Sequence, residues 1–271
     1  MPESNQGVIL GCLLTLPKMT GTEGRGTRPL EGETAIVTGG GRGIGRAISL
    51  ALARAGATVV VASRSADDVE RTKAEIEAEG GKALAVATDV TSGAGVEELV
   101  ARTRGATGRI DIVVNGAGVF VWKPLEKLEE AEWDRVLGTN LKASYLLIRA
   151  ALPSLVASGR GRILNVSSIH GTVGDANVVA HCAAKFGLIG FTKALASELR
   201  GAGITVNAIC PGSTDNKGRE PSGKPHAAPL QEKLDAHDVA GAVLFLVSPA
   251  AATISGAVLD VWGGTRISIT G

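Results

Sequence analysis

The sequence predicts a single α/β domain, a doubly wound parallel sheet with helices on both faces. Three observations carry the prediction. Short runs rich in Val, Ile and Ala alternate with longer helix-favouring segments from Glu33 to Trp262. Those runs are almost continuously apolar, as strands covered on both faces are. The first of them leads into a glycine-rich turn, Thr38–Gly45 (TGGGRGIG), and then into a stretch rich in Ala, Leu and Arg.

Taken in order, the first strand is predicted over Glu33–Val37, on its β-branched Thr34, Ile36 and Val37, with a helix over Arg46–Ala55. Ala57–Ala62 is the second strand, followed by a charged amphipathic helix over Asp67–Gly80. The third strand, Ala83–Ala87, precedes a helix over Gly95–Thr103, and Ile110–Val114 is the fourth strand. Ala131–Ser158 reads as one long helix, open to interruption near Gly138 and to breakage at Pro153. Arg162–Val166 and Ile204–Ile209 are strands on either side of a largely apolar helix, Ala180–Leu199. Val239–Val247 is helical and Val258–Trp262 is the last strand. Pro211–His237, rich in Pro, Gly, Lys and Ser, is a loop, and in this fold class such loops lie where ligands bind.

A strand, a glycine turn and a helix in that order make a phosphate-binding corner of a dinucleotide fold. Gly39 turns the chain sharply out of the strand. Gly43, lacking a Cβ, lets the backbone approach a pyrophosphate, and Gly45 lets the helix pack closely on the sheet. The helix N-terminus then offers free amides and a positive dipole end.

Composition narrows the classes. A chain of 271 residues, 44% hydrophobic and 20% charged, has the make-up of an ordinary globular protein large enough for a full core. A net charge of +1 gives no general attraction to nucleic acid or an anionic membrane, so neither is an expected partner. Cys12, Cys182 and Cys210 are scattered without metal spacing. They imply a reducing, cytoplasmic setting, no disulfide framework and no metal.

Residues 1–31 read as a flexible extension and 32–271 as the domain. The apolar run Gly7–Pro17 is too short to span a bilayer. Ile9–Cys12 resembles a lipoprotein cleavage site, but Met1–Gln6 has no Lys or Arg. Met19 is an alternative start, with a polar lead-in over Gly21–Glu33.

Several motifs in order then resemble the short-chain dehydrogenase/reductase family, in its carbonyl-reductase-like branch, over about residues 33–264. They are TGGGRGIG at Thr38–Gly45, Asp89-Val90, NGAG at Asn115–Gly118, Asn140, Ser168, Lys185 and Pro211-Gly212. The resemblance implies a Rossmann-like domain, a nicotinamide cofactor, alcohol–ketone chemistry on a small molecule, and a homodimer or homotetramer. It places the cofactor against Gly39, Arg42, Gly43, Ile44 and Gly45, and its adenine at Asp89 and Val90. Asn115, Ala117 and Gly118 would pass close beneath it, although Gly116 stands where the family has a second Asn. Asn140 would bend its helix and hold a water for proton relay. Pro211, Gly212 and Thr214 would lie against the nicotinamide, with Thr214 or Asn216 open as the carboxamide ligand.

The second predicted strand ends Val61-Ala62-Ser63-Arg64. An NAD enzyme of this class places an acid near Ser63 to bind the ribose 2′-hydroxyl. Here Arg64, helped by Arg42, suits a 2′-phosphate instead, so the expected cofactor is NADP(H).

The family pattern is Ser, Tyr thirteen residues later, and Lys four after that. Ser168 and Lys185 fit, but the middle position is His181, and the single tyrosine, Tyr145, lies far upstream. Residues 181 and 185 share a helix face. By the resemblance Lys185 would also hold the nicotinamide ribose, and its charge would disfavour imidazolium at His181. Imidazole is shorter than phenol by roughly 2 Å. Three readings of position 181 stand open: a working acid/base, a site whose redox chemistry is lost or altered, or a substitution at a former Tyr. His170 is a second candidate for substrate contact or proton relay. The function that follows is an NADP(H)-dependent oxidoreductase. The alternatives are a non-redox enzyme using His181 as base, and a silent NADP-binding protein.

Overall fold

The computed structural model describes residues 28–214 and 234–262. Its strands are β1 (Thr34–Thr38), β2 (Thr58–Ser63), β3 (Lys82–Ala87), β4 (Ile112–Asn115), β5 (Arg162–Val166), β6 (Thr205–Pro211) and β7 (Val258–Val261). They form one sheet in the order β3-β2-β1-β4-β5-β6-β7, and every neighbouring pair is parallel. The chain winds outward from β1 to β3, returns to β4 and winds the other way. The direction reverses between β1 and β4, which opens a crevice at the carboxyl ends of those strands.

Helices α1 (Gly43–Arg54), α2 (Ala66–Ala78), α3 (Gly93–Thr107), α4 (Glu130–Leu137), α5 (Ala143–Ala157), α6 (Val179–Glu198) and α7 (Ala236–Val247) fill the connections. Side chains of a strand alternate between its two faces, and β1 shows the result. Ala35 and Val37 join a core with Leu52 and Val243, whereas Ile36 joins another with Leu99, Leu147 and Ile163. Both faces are therefore dry, which is why the strands read as unbroken apolar runs.

The predicted long helix is divided. Between α4 and α5 lies a π-helical turn, Gly138–Lys142, with αR backbone on either side of it. Pro153 does not end α5; it lies inside the helix on its exposed side. At the other end of the domain, Leu30 is fully buried and its amide donates to the Ala55 carbonyl at 3.0 Å. Packing on the domain thus reaches back before residue 32, to the last residues of the stretch expected to be flexible. Residues 1–27, Asn216 and most of the Pro211–His237 loop lie outside the described residues.

The amino ends of the strands hold an ionic cluster. Asp111, fully buried just before β4, accepts a fork from Arg109 at 2.8 and 2.6 Å. It also accepts the Thr34 amide at 2.8 Å, which ties β4 to β1. No helix among the described residues is long and apolar enough to cross a membrane.

Candidate active site

The glycine turn is shaped by contacts that leave no room for side chains. Gly39 has φ +69°, and a Cβ there would stand 2.8 Å from the Gly116 carbonyl oxygen. A Cβ on Gly45 would stand 2.1 Å from the Gly39 oxygen, which is an overlap. Gly43 also has positive φ, at 52°. Thr38 Oγ1, at the end of β1, accepts the amides of Gly116 and Ala117 at 3.1 and 3.3 Å. The loops after β1 and β4 are thereby held edge to edge. A side chain at Gly116 would meet the Thr38 oxygen at 2.7 Å, so this turn has no space for the Asn that the resemblance expects.

The N-cap of α1 is Arg42, which is exposed and makes no side-chain cap, and the first turn holds no acid. The α1 amides and the positive end of its dipole therefore remain for an anion. Ile44 is half-buried behind them. The closed glycine cradle and the uncapped helix fit the diphosphate of a dinucleotide.

Ser63 ends β2, half-buried, with Arg64 exposed beside it. Asp89 is exposed beyond β3, and Val90 is buried. The Asp89 carboxylate accepts the amide and hydroxyl of Thr91 at 3.0 and 2.8 Å. Those bonds, with the charge of Arg64, hold its pKa below the ordinary value. Asp68 of α2 was not anticipated here. Its Cβ lies 2.7 Å from where a Gly41 side chain would begin, and its carboxylate is paired with Arg71.

Asn115, buried at the end of β4, donates to Asn165 Oδ1 at 2.8 Å, and Asn165 in turn donates to Thr192 Oγ1 at 2.8 Å. This chain of buried amides fixes α6 against β4 and β5. Gly118 is exposed, Ala117 half-buried. Asn140 lies in the π turn. Its Nδ2 donates to the Val136 and Val119 carbonyls, both at 2.9 Å. Its Oδ1 is buried and accepts no hydrogen bond among the described residues. A Cβ on Gly118 would stand 2.8 Å from that oxygen.

Ser168 follows β5 and caps a short 3-10 turn, Ile169–Gly171; its Oγ accepts the His170 amide at 3.2 Å. His181 and Lys185 are buried one turn apart on α6. Lys185 Nζ donates to the Val166 carbonyl at 2.7 Å. Burial lowers its pKa to about 8, against a small opposing effect of Cys210. Tyr145 is exposed on α5, where Arg149 donates to its hydroxyl at 3.2 Å. Pro211 is buried at the end of β6; Gly212 donates to Val261, and Thr214 Oγ1 donates to the Gly212 carbonyl at 3.2 Å.

An aromatic wall, also not anticipated, borders His181. The Phe120 ring meets it edge to face with centroids 4.9 Å apart, and Trp122 stacks on Phe120 at 6.3 Å. The His170 ring is perpendicular to His181 at 5.8 Å. The only sequence signal was the spacing of Phe120 and Trp122, two apart just after Asn115–Gly118. The predicted site residues thus gather at the carboxyl ends of β1, β2, β4, β5 and β6 and in the segment following β3.

The model of the short chain dehydrogenase family matches residues 33–226. The chain is 38% identical over 242 residues to the 3-oxoacyl-(acyl-carrier-protein) reductase FabG of Vibrio harveyi, covering 87% of this chain and 98% of that one. It is 38% identical over 245 residues to the corresponding reductase of Pseudomonas aeruginosa, covering 88% and 99%. A crystal structure from Sinorhizobium meliloti, assigned as a short-chain alcohol dehydrogenase, superposes with a TM-score of 0.83 at 34% identity, covering 88% of this chain.

Proposed function

This chain belongs to the short chain dehydrogenase family, and on that premise we propose that it interconverts a ketone and a secondary alcohol with NADP(H). The observation that carries the proposal is the placement of Ser168, His181 and Lys185 together at the end of β5 and the start of α6, beside a cradle that fits a dinucleotide. The relatives' names make a 3-oxoacyl thioester the first substrate class to try.

When bound, the nicotinamide supplies or takes the hydride. Arg64, with Arg42, pairs with the 2′-phosphate, and the α1 amides hold the diphosphate. Ser168 Oγ, which already accepts the His170 amide, keeps its O–H to donate to the substrate oxygen. His181 gives that oxygen a proton in reduction and takes it back in oxidation. Asn140 Oδ1 offers a buried acceptor for an ordered water. Lys185 orients the ribose and sets the charge around His181.

The test is NADPH turnover, followed at the reduced-nicotinamide band over a panel of carbonyls. His181→Ala should lower the rate by about a hundredfold or more with cofactor affinity nearly unchanged. His181→Tyr should raise reduction of generic ketones, because phenol reaches further. NADPH that binds but is never oxidised by any carbonyl would overturn the reading. The shorter reach of imidazole favours a second reading, non-redox chemistry with His181 as base; product without NADPH consumption would establish it.

We further propose a homodimer or homotetramer, formed in a cytoplasmic setting. Tyr145 and Val156 on α5, and Val179 and Phe186 on α6, are exposed, and closed symmetry is the usual cover for such faces. Light scattering at micromolar concentration would show a monomer if this is wrong.

A further inference from the structure

The proposed reaction leaves two titratable side chains beside His181 without a role. His170 Nε2 lies 3.5 Å from Asp175 Oδ2, and the other side of the cluster is His181, its ring perpendicular to that of His170 at 5.8 Å. Side-chain exposure falls from 47% at Asp175 to 14% at His170, and His181 is 8% exposed as a residue. The three residues form a graded path from solvent to the buried imidazole.

The path is held in place from several sides. The His170 amide is bonded to Ser168 Oγ, so its backbone is fixed by the same hydroxyl that faces substrate. The loop carrying Asp175 is pinned by the Lys123 amide, which donates to the Asn177 carbonyl at 2.8 Å, with Asn177 at φ 65°. Phe120 packs against both imidazoles, at 4.9 Å from His181 and 6.3 Å from His170. It lines one side of the pair with an apolar ring.

A buried donor must be recharged after each turnover. Imidazole suits a relay because one ring nitrogen accepts a proton while the other releases one. A carboxylate within about 4 Å favours the charged form of the imidazole beside it. We propose that Asp175 and His170 conduct protons between solvent and His181, making His170 a positioning and relay residue for this site. The proposal rests on the reading of His181 as proton donor. In reduction, His181 gives one proton to the substrate oxygen while the hydride reaches the carbon. His170 then passes one proton to His181, directly or through one water, and regains one from solvent on the Asp175 side. Oxidation runs the same transfers backwards.

Among the described residues, the charged and titratable groups around the path include Asp175, His181, Lys185 one turn further along α6, and Cys182, whose Sγ approaches the Val173 carbonyl at 3.9 Å. Lys123 pairs its ammonium with Glu132 at 2.7 Å.

The experiment uses the full chain and its His170→Gln and Asp175→Asn variants. Imidazole NMR signals are titrated, and turnover is measured across pH with and without added imidazole. His170→Gln removes a like charge, so the His181 midpoint should rise by about one pH unit. Asp175→Asn should lower the His170 midpoint. His170→Gln should also slow turnover about tenfold above neutral pH, with unchanged NADPH affinity and recovery in imidazole buffer. A His181 midpoint unmoved by His170→Gln overturns the relay, and so does a rate loss that imidazole fails to restore. If the unmodified protein turns over no carbonyl, the redox reading falls, and the titrations still decide the conduit.

Discussion

The Lys185 ammonium donates to the Val166 carbonyl at 2.7 Å, which sets a buried cation against the last residue of β5. Desolvation lowers its pKa from 10.5 to about 8. Between those values the unfolded chain holds more protons at this side chain than the folded one. Stability therefore rises with pH across that window, and the cost of burying the charge is fully present below it. Lys185→Met should be more stable than the unmodified protein near neutral pH. Its advantage should shrink by an amount on the order of 2–3 kcal/mol between about pH 7 and pH 10 in urea unfolding. Turnover should be lost in the same variant. An advantage that does not change with pH would refute the assignment of a charged, buried lysine.

Cofactor choice should follow Arg64. It is exposed at the end of β2, next to Ser63 where an acid would select NAD. NADPH should bind more tightly than NADH, and Arg64→Ala should remove most of the difference, roughly 1.5–3 kcal/mol for a charge-assisted pair. Fluorescence titration with both cofactors measures it; equal affinities in the unmodified protein would contradict it.

Gly45→Ala should be severe. The new methyl would overlap the Gly39 oxygen at 2.1 Å, and that oxygen belongs to backbone that cannot swing away. The turn must open, which should cost about 2 kcal/mol or more of stability and most of the dinucleotide affinity. Gly174→Ala, where nothing lies within 4 Å of the added carbon, is the control and should change cofactor binding little. Equal behaviour of the two variants would show that the cradle has slack.

Asp111→Ala should separate stability from binding. It leaves Arg109 and the Thr34 amide without their shared acceptor. The expected loss is about 1–3 kcal/mol, as for a buried amide left without its acceptor, because the half-exposed Arg109 side chain can turn to solvent. NADPH affinity should be retained at temperatures where the variant is folded, because the cluster is at the opposite ends of the strands. A large loss of affinity in the folded variant would tell against that separation.

The strands and helices were legible because both faces of the sheet are covered, so apolar runs such as Val59–Ala62 stand out from the amphipathic stretches between them. The glycine turn was legible because its residues are adjacent in sequence. What escaped notice depends on loops meeting from distant strands. Phe120 follows β4 and His170 follows β5, fifty residues apart, and only the fold sets their rings side by side. Gly116 read as a departure from the family, and its cause, the Thr38 oxygen, sits on another strand. The π turn left only a hint at Gly138, because apolar periodicity does not record whether a carbonyl bonds four or five residues on.

That turn has a consequence for insertions and deletions. Each residue of a helix advances it by about 100° of rotation. Gly138–Lys142 therefore works as a phase shifter in the rod from Glu130 to Ala157. It lets Val136 point into one apolar cluster and Leu147 into another, while Asn140 faces the loop after β4. Losing one residue there would restore a regular helix, closing the turn over four residues instead of five while α4 and α5 keep their relative faces. A substitution at the half-buried Thr139 alters one side chain; its deletion would remove the bulge itself and re-aim Asn140 away from the Val119 carbonyl.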